Sequence, residues 1–117
     1  MSGAVGNGEA SDRLAELRAA TSQRIAGLQE GFEDIVEATS DVATDDEHDP
    51  EGHTIAWERQ QIAALLEEAR ATLAAVEVAA CRIDDGTYGE CVSCGRPIGS
   101  ARLEALPAAS ECVVCAA

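Results

Sequence analysis

Apolar side chains recur every three or four residues along the first third of the chain. They form a stripe of Leu14, Leu17, Thr21, Ile25, Leu28, Phe32 and Ile35. This spacing puts all of them on one face of an α-helix. Because Ser11 is a suitable N-cap, the pattern predicts an amphipathic helix over residues 11–40. The Gly-rich, polar residues 1–10 are expected to form a disordered tail.

A second stripe follows a polar interruption. Its members are Ile55, Ile62, Leu65, Ala69, Leu73, Val76, Ala80 and Ile83. Asp49 as cap and Pro50 in the first turn mark the start of a helix that should run over 50–84. Two helices joined by a short connection pack best as antiparallel neighbours. The sequence therefore predicts an all-α fold with an antiparallel coiled-coil hairpin over 11–84. Self-association of the same stripes into a four-helix bundle stays open.

Six carboxylates crowd the predicted turn of the hairpin at 41–53: Asp41, Asp45, Asp46, Glu47, Asp49 and Glu51. The residue spacing of a calcium-binding loop is missing. A solvated loop in which Asp49 caps the second helix needs only one or two of these acids. We therefore interpret the cluster as an acidic tip that carries negative charge into a positively charged or metal-containing site on a partner. The candidate contact residues are Asp45, Asp46, Asp49 and Glu51.

Two Cys-x-x-Cys pairs dominate residues 85–117. Cys91 with Cys94 and Cys112 with Cys115 flank seventeen residues. Four thiolates satisfy the tetrahedral preference of Zn²⁺, and two residues between ligands let one tight turn present both sulfurs. A shell of four cysteines leaves no position for water, so the pattern predicts a small zinc finger with one structural, non-catalytic ion. We see no catalytic site elsewhere and expect no enzyme.

The charge balance narrows the choice of partner. The chain carries 22 acidic residues against eight arginines and no lysine, a formal charge of −14. Sequence-independent DNA binding needs clustered basic residues, so direct DNA binding is not expected. No signal peptide or membrane-length apolar run is visible, which favours a cytoplasmic protein without membrane contact. A reducing compartment favours metal over disulfides. The fifth cysteine, Cys81, is interpreted as a small buried hydrophobe.

The stretch DDGTYGECVSCGRPIGSARLEALPAASECVVC, residues 84–115, resembles the signature of the DksA/TraR family of bacterial transcription regulators. The matching positions are Tyr88-Gly89, Cys91-x-x-Cys94-Gly95, Pro97-Ile98, Arg102-Leu103-Glu104-Ala105, Pro107 and the closing Cys112-x-x-Cys115. The resemblance extends over residues 11–115, because the hairpin agrees in length and order. It implies a protein that binds RNA polymerase without binding DNA. It also implies that the coiled coil enters the secondary channel and brings acidic residues towards the catalytic Mg²⁺.

Two departures from the family pattern affect these expectations. The family's best-known tip has two aspartates and an alanine, whereas here Asp49 and Pro50 are kept and the second Asp and the Ala are not. Glu51, or Asp45 or Asp46, is then expected to substitute. Members that respond to ppGpp use basic residues where this chain has Ala75 and Leu106. A response to ppGpp is therefore not expected.

Two other functions are compatible with the sequence. The first is a structural adaptor, a zinc-stabilised hairpin that binds another protein or dimerises. This function requires only the apolar stripes. The second of these functions is a thiol switch, in which oxidation of the cysteines releases the zinc ion. For the switch we expect slow oxidation, since thiolates in a closed site are protected.

Overall fold

The computed structural model of the protein describes the backbone of residues 7–42 and 50–117 and the side chains of 7–37 and 54–117. Within these backbone ranges lie four helices: α1 (Asn7–Val42), α2 (Pro50–Asp85), α3 (Ser100–Ala105) and α4 (Val113–Ala116). Across the described ranges, extended pairing is limited to an isolated antiparallel bridge between Glu90 and Pro97. The predicted fold, an all-α hairpin followed by a four-cysteine module, is confirmed. Among the described residues, no helix has the length and apolarity needed to cross a membrane.

Helix α1 begins earlier than its sequence pattern predicts. It starts at Asn7, so the expected disordered tail at 1–10 is wrong for residues 7–10, while residues 1–6 lie outside the described part. Ser11 is an internal helical residue, not the cap. Ala10 is only 1% exposed, and Arg13 forms a 3.2 Å salt bridge with Glu9 in the first turn. Burial of Ala10 stabilises a turn that the apolar stripe alone did not reveal.

Both apolar stripes form the inner faces of their helices. Each of their members is buried or half-buried. This agreement follows from the helical period, since residues three and four apart share a face whatever the tertiary fold. The pattern therefore identified the packing faces of α1 and α2 correctly.

The chain divides into two compact units, one of which combines the described residues 7–20 with Ala71–Ala117. Its core is a cluster of Leu14, Val76 and Ala79, against which Leu17 and Ile83 pack. Leu14 lies near the start of α1, and Val76 and Ala79 lie near the end of α2. The two helices of this unit are therefore antiparallel.

The second unit is Thr21–Arg70. Here Gly31 of α1 faces Ile62 of α2, and a Cβ atom at Gly31 would lie 3.7 Å from the Ile62 Cδ1 atom. The guanidinium of Arg59 lies over the ring of Phe32, 5.7 Å from its centroid. Helix α1 residues that follow Thr21 thus meet α2 residues that precede Arg70, which is again antiparallel packing.

The proposed contact residues of the acidic tip fall largely outside this description. Asp45, Asp46 and Asp49 lie in the segment 43–49, beyond the described residues. Glu51 belongs to α2, but its side chain is likewise outside the described set. Their role stays a prediction from the sequence.

Candidate metal centre

The first cysteine pair lies on a tight turn between two short extended segments. The Cys91 N–H donates to the Arg96 carbonyl at 2.8 Å, and the Ile98 N–H donates to the Gly89 carbonyl at 2.8 Å. Within this loop the Gly95 N–H donates to the Cys91 carbonyl at 2.9 Å. Gly95 has a φ of 76°, a conformation that glycine adopts without the steric penalty of a side chain. The turn can therefore close directly after Cys94.

The second cysteine pair is presented by the short helix α4. Cys112 is its N-cap residue and has an extended backbone conformation, with φ of −72° and ψ of 167°. The Ala116 N–H donates to the Cys112 carbonyl at 2.9 Å, which places Cys115 one helical turn after Cys112. Two residues between the cysteines thus bring both sulfurs to the same side of the turn.

All four sulfur atoms converge. The Sγ atoms of Cys91, Cys94, Cys112 and Cys115 lie within 4.8 Å of one another, and those of Cys94 and Cys112 are 3.8 Å apart. A tetrahedral Zn²⁺ with Zn–S bonds of about 2.3 Å requires sulfur separations of about 3.8 Å. The donor set and its spacing fit one structural zinc ion.

Backbone hydrogen bonds prepare two of these thiols for metal binding. The pKa of Cys91 is lowered to about 6, chiefly by a backbone hydrogen bond from Cys112, although burial opposes this shift. A backbone hydrogen bond from Cys115 lowers the pKa of Cys112. The side-chain hydrogen bonds of Cys115 with Cys112, and then with Cys91 and Cys94, raise its pKa to about 12. Metal binding must therefore displace a proton from Cys115.

Two side chains, Arg82 and Tyr88, connect the cysteine module to the hairpin. Arg82, in the last turn of α2, donates from Nη2 to the carbonyl oxygens of Thr87 (2.8 Å) and Glu90. The ring of Tyr88 packs, together with Ala108, against the Leu14 cluster. These contacts join the module to both helices within the same compact unit.

The sequence identified the four cysteines but not every feature around them. Cys81 was expected to be buried, and this prediction is wrong: its side chain is exposed. It lies next to the half-buried Ala80 but off the stripe that faces α1. The role of Arg82 was also missed. No residue pattern relates Arg82 to the carbonyl oxygens of Thr87 and Glu90, so the sequence did not indicate these contacts.

The arrangement defines a class: a four-cysteine zinc-finger protein whose finger follows a long helical hairpin. A family model described as "Prokaryotic dksA/traR C4-type zinc finger" matches residues 86–117. The fold is similar to the solved structure of the transcription factor DksA2 from Pseudomonas aeruginosa, with a TM-score of 0.77 and 27% sequence identity. That similarity covers 97% of this chain and 81% of the other. Residues 86–117 thus match the DksA/TraR zinc finger, and the chain as a whole is similar in fold to a solved DksA2 structure.

Two curated relatives share part of the sequence. Both are named RNA polymerase-binding transcription factor DksA, from Caulobacter vibrioides strains NA1000 / CB15N and ATCC 19089 / CIP 103742 / CB 15. Each is 46% identical over 44 residues, which is 38% of this chain and only 31% of the relative's length. The names are those of transcription factors, in agreement with the expectation that the chain is not an enzyme.

Proposed function

We propose that this protein is a transcription regulator that binds RNA polymerase directly and inserts its acidic segment 41–53 into the secondary channel. The observation that carries the proposal is the fold similarity to DksA2, which extends over both the hairpin and the zinc module. The relatives from Caulobacter vibrioides bear the name of RNA polymerase-binding factors. The finger stabilises the hairpin, and the acids act on the partner.

The distribution of charge supports this division of roles. The segment Thr21–Arg70 contains 13 of the 22 acidic residues and only three arginines. Negative charge of this density is attracted to a cationic or metal-containing cavity and is repelled by DNA phosphates. Asp45, Asp46, Asp49 and Glu51 are the acids proposed to approach the active site. Binding to polymerase would place the protein in the cytoplasm.

The surroundings of Ala75 support the expectation that ppGpp takes no part. Ala75 lines a cleft of about 160 Å³ together with Val78, Ala79, Arg82, Tyr88, Gly89, Ala108, Ala109 and Ser110. Arg82 is the only charged side chain among these residues; its Nη2 atom is engaged by two carbonyl oxygens, and its buried Nη1 atom has no hydrogen-bond partner among the described residues. Leu106 is 51% exposed and offers no charge. The cleft and Leu106 therefore offer little positive charge to neutralise a polyphosphate.

Direct binding is tested with zinc-loaded protein and purified core RNA polymerase at low salt. We expect a complex that weakens as salt is raised, because an acidic ligand on a basic surface is screened. Recovery of no polymerase under low-salt conditions would overturn the proposal.

The role of the acidic segment is tested by neutralisation. A variant carrying Asp45→Asn, Asp46→Asn, Asp49→Asn and Glu51→Gln should fold normally but lose its effect on transcription in vitro. The matched control changes four exposed acids elsewhere: Glu16→Gln, Glu67→Gln, Asp84→Asn and Glu104→Gln. This control has the same net charge and should retain activity. If the first variant acted like the unmodified protein, the adaptor function would be favoured instead.

A further inference from the structure

Trp57 is the only tryptophan of the chain, and it is 61% exposed. It lies on α2, about two helical turns after Pro50. Tryptophan is the side chain with the largest apolar surface, and leaving it in water gives the isolated fold little stability. Its position on the acidic half of the hairpin therefore suggests a role outside the fold.

The helix face of Trp57 points away from the packing stripe of α2. Ile55 and Ile62 on that stripe are half-buried, whereas Trp57, Gln61 and Ala64 are all exposed. Spacings of four and seven residues place the last three on one face. Among the described residues of the hairpin, α1 packs on the opposite face of α2, so this packing leaves Trp57 uncovered.

The other aromatic residue of this unit behaves differently. Phe32 is half-buried and its ring is covered by the guanidinium of Arg59. Arg59 is thus directed to an intramolecular contact, while Trp57 keeps its surface free of the hairpin's core. The unit uses one aromatic side chain for its own packing and presents the other outwards.

Charge identifies the kind of surface that would cover Trp57. The unit Thr21–Arg70 has 13 carboxylates and three arginines, a net charge of −10 out of −14 for the chain. A second copy of this chain, a nucleic acid or an anionic membrane would be repelled. A protein surface rich in lysine and arginine is attracted, and its cations also favour the face of an indole ring.

We propose that Trp57 is an aromatic anchor that inserts into a recess lined by basic residues on RNA polymerase. This inference rests on the proposed function and adds a contact that the acidic segment does not provide. Aromatic anchors surrounded by charge commonly account for much of the affinity of an interface, and tryptophan is prominent among them. The acids attract the partner, and the indole supplies buried apolar contact.

The first test compares Trp57→Ala with Gln61→Ala, an exposed control one turn later on the same face. Polymerase affinity is measured by titration of labelled protein. We expect at least about a 30-fold loss for Trp57→Ala, as for strong anchors, and less than about a threefold change for Gln61→Ala. Both variants should keep the helical circular dichroism and the Tm, since neither residue is buried.

The second test reads the environment of the side chain itself. Protein labelled with 5-fluorotryptophan has a single ¹⁹F resonance, which should shift and broaden when unlabelled core polymerase is added. A photo-crosslinker in place of Trp57 should attach to a polymerase peptide with neighbouring Lys and Arg. If polymerase binds but the resonance is unchanged and Trp57→Ala binds normally, the anchor is wrong and the proposed function stands. Crosslinking to a second copy would overturn the choice of occupant, and absence of polymerase binding would overturn both proposals.

Discussion

The hydroxyl of Tyr88 donates a 2.8 Å hydrogen bond to the carbonyl oxygen of Pro107, nineteen positions later in the chain. The bond closes the loop that contains the first cysteine pair and helix α3. Because the Tyr88 ring also packs against the Leu14 cluster, one side chain fixes the module internally and to the hairpin. The stability of the zinc module should therefore depend on residues that bind no metal.

Removal of this hydroxyl tests that dependence. Tyr88→Phe keeps the ring but leaves the Pro107 carbonyl without its donor, so we expect the free energy of unfolding to fall by about 1 kcal/mol. Urea denaturation of the zinc-loaded protein measures the change. Tyr88→Ala, which also removes the ring, serves as the comparison and should lose more. Equal stability of Tyr88→Phe and the unmodified protein would show that the hydrogen bond contributes nothing.

The same residue should make stability depend on alkaline pH. Burial raises the pKa of Tyr88 above its usual value near 10, partly opposed by the positive charge of Arg13. The folded state therefore favours the neutral phenol, and this contribution is complete below about pH 10 and lost as the pH rises through the folded pKa. The chain has one tyrosine, so tyrosinate absorbance near 295 nm reports on Tyr88 alone. Titration at or below pH 10 in the folded protein would contradict this prediction.

Arg82 provides a second link between the hairpin and the zinc module, and like Tyr88 it binds no metal. Arg82→Ala removes the donor to the Thr87 and Glu90 carbonyl oxygens, and we expect a loss of about 1–2 kcal/mol for these partly exposed charged hydrogen bonds. Hydrogen exchange should show the largest increase at residues 87–90. Cys81→Ser, a change at the exposed neighbouring residue, is the control and should have little effect. The prediction fails if both variants exchange alike.

Two glycines of contrasting geometry should respond to alanine in opposite directions. Gly95 has a φ of 76°, so Gly95→Ala introduces strain of about 1–2 kcal/mol at the turn beside Cys94. Gly27 lies inside α1, and apart from the adjoining backbone of the helix no atom lies within 4 Å of a Cβ built there. Gly27→Ala should therefore stabilise the helix by about 1 kcal/mol. Thermal unfolding measures the effect of both substitutions. Destabilisation by Gly27→Ala would contradict the exposure of Gly27 on the surface of α1.

Zinc affinity should increase with pH. The metal-free Cys115 thiol has a pKa of about 12 and must lose its proton on binding, so protons compete with the metal across the neutral range. Cys91, with a pKa of about 6, is already a thiolate at neutral pH and takes up a proton only below that value. We expect the pH dependence of affinity to steepen below about pH 6. Competition with a chromophoric chelator over pH 5–8 measures it, and a zinc affinity that does not change with pH would contradict the prediction.

Local features could be predicted because their geometry repeats along the chain. Residues such as Leu14 and Val76 share a face with their stripes in any helix, so their burial followed from spacing alone. The Cys-x-x-Cys pairs likewise bring their sulfurs together through single turns, and Gly95 permits the first of these turns. The acidic residues Asp45, Asp46, Asp49 and Glu51 stay a sequence prediction.

Other features depended on contacts between segments distant in sequence. Ala10 is buried within the first turn of α1, which begins at Asn7, although neither residue belongs to the apolar stripe. The amino-acid sequence by itself determined the helices, their apolar faces and the metal ligands, since these follow from repeats of a few residues. Only the tertiary structure decided which side chains secure the module, because Arg82 and Tyr88 reach partners that no local period relates to them.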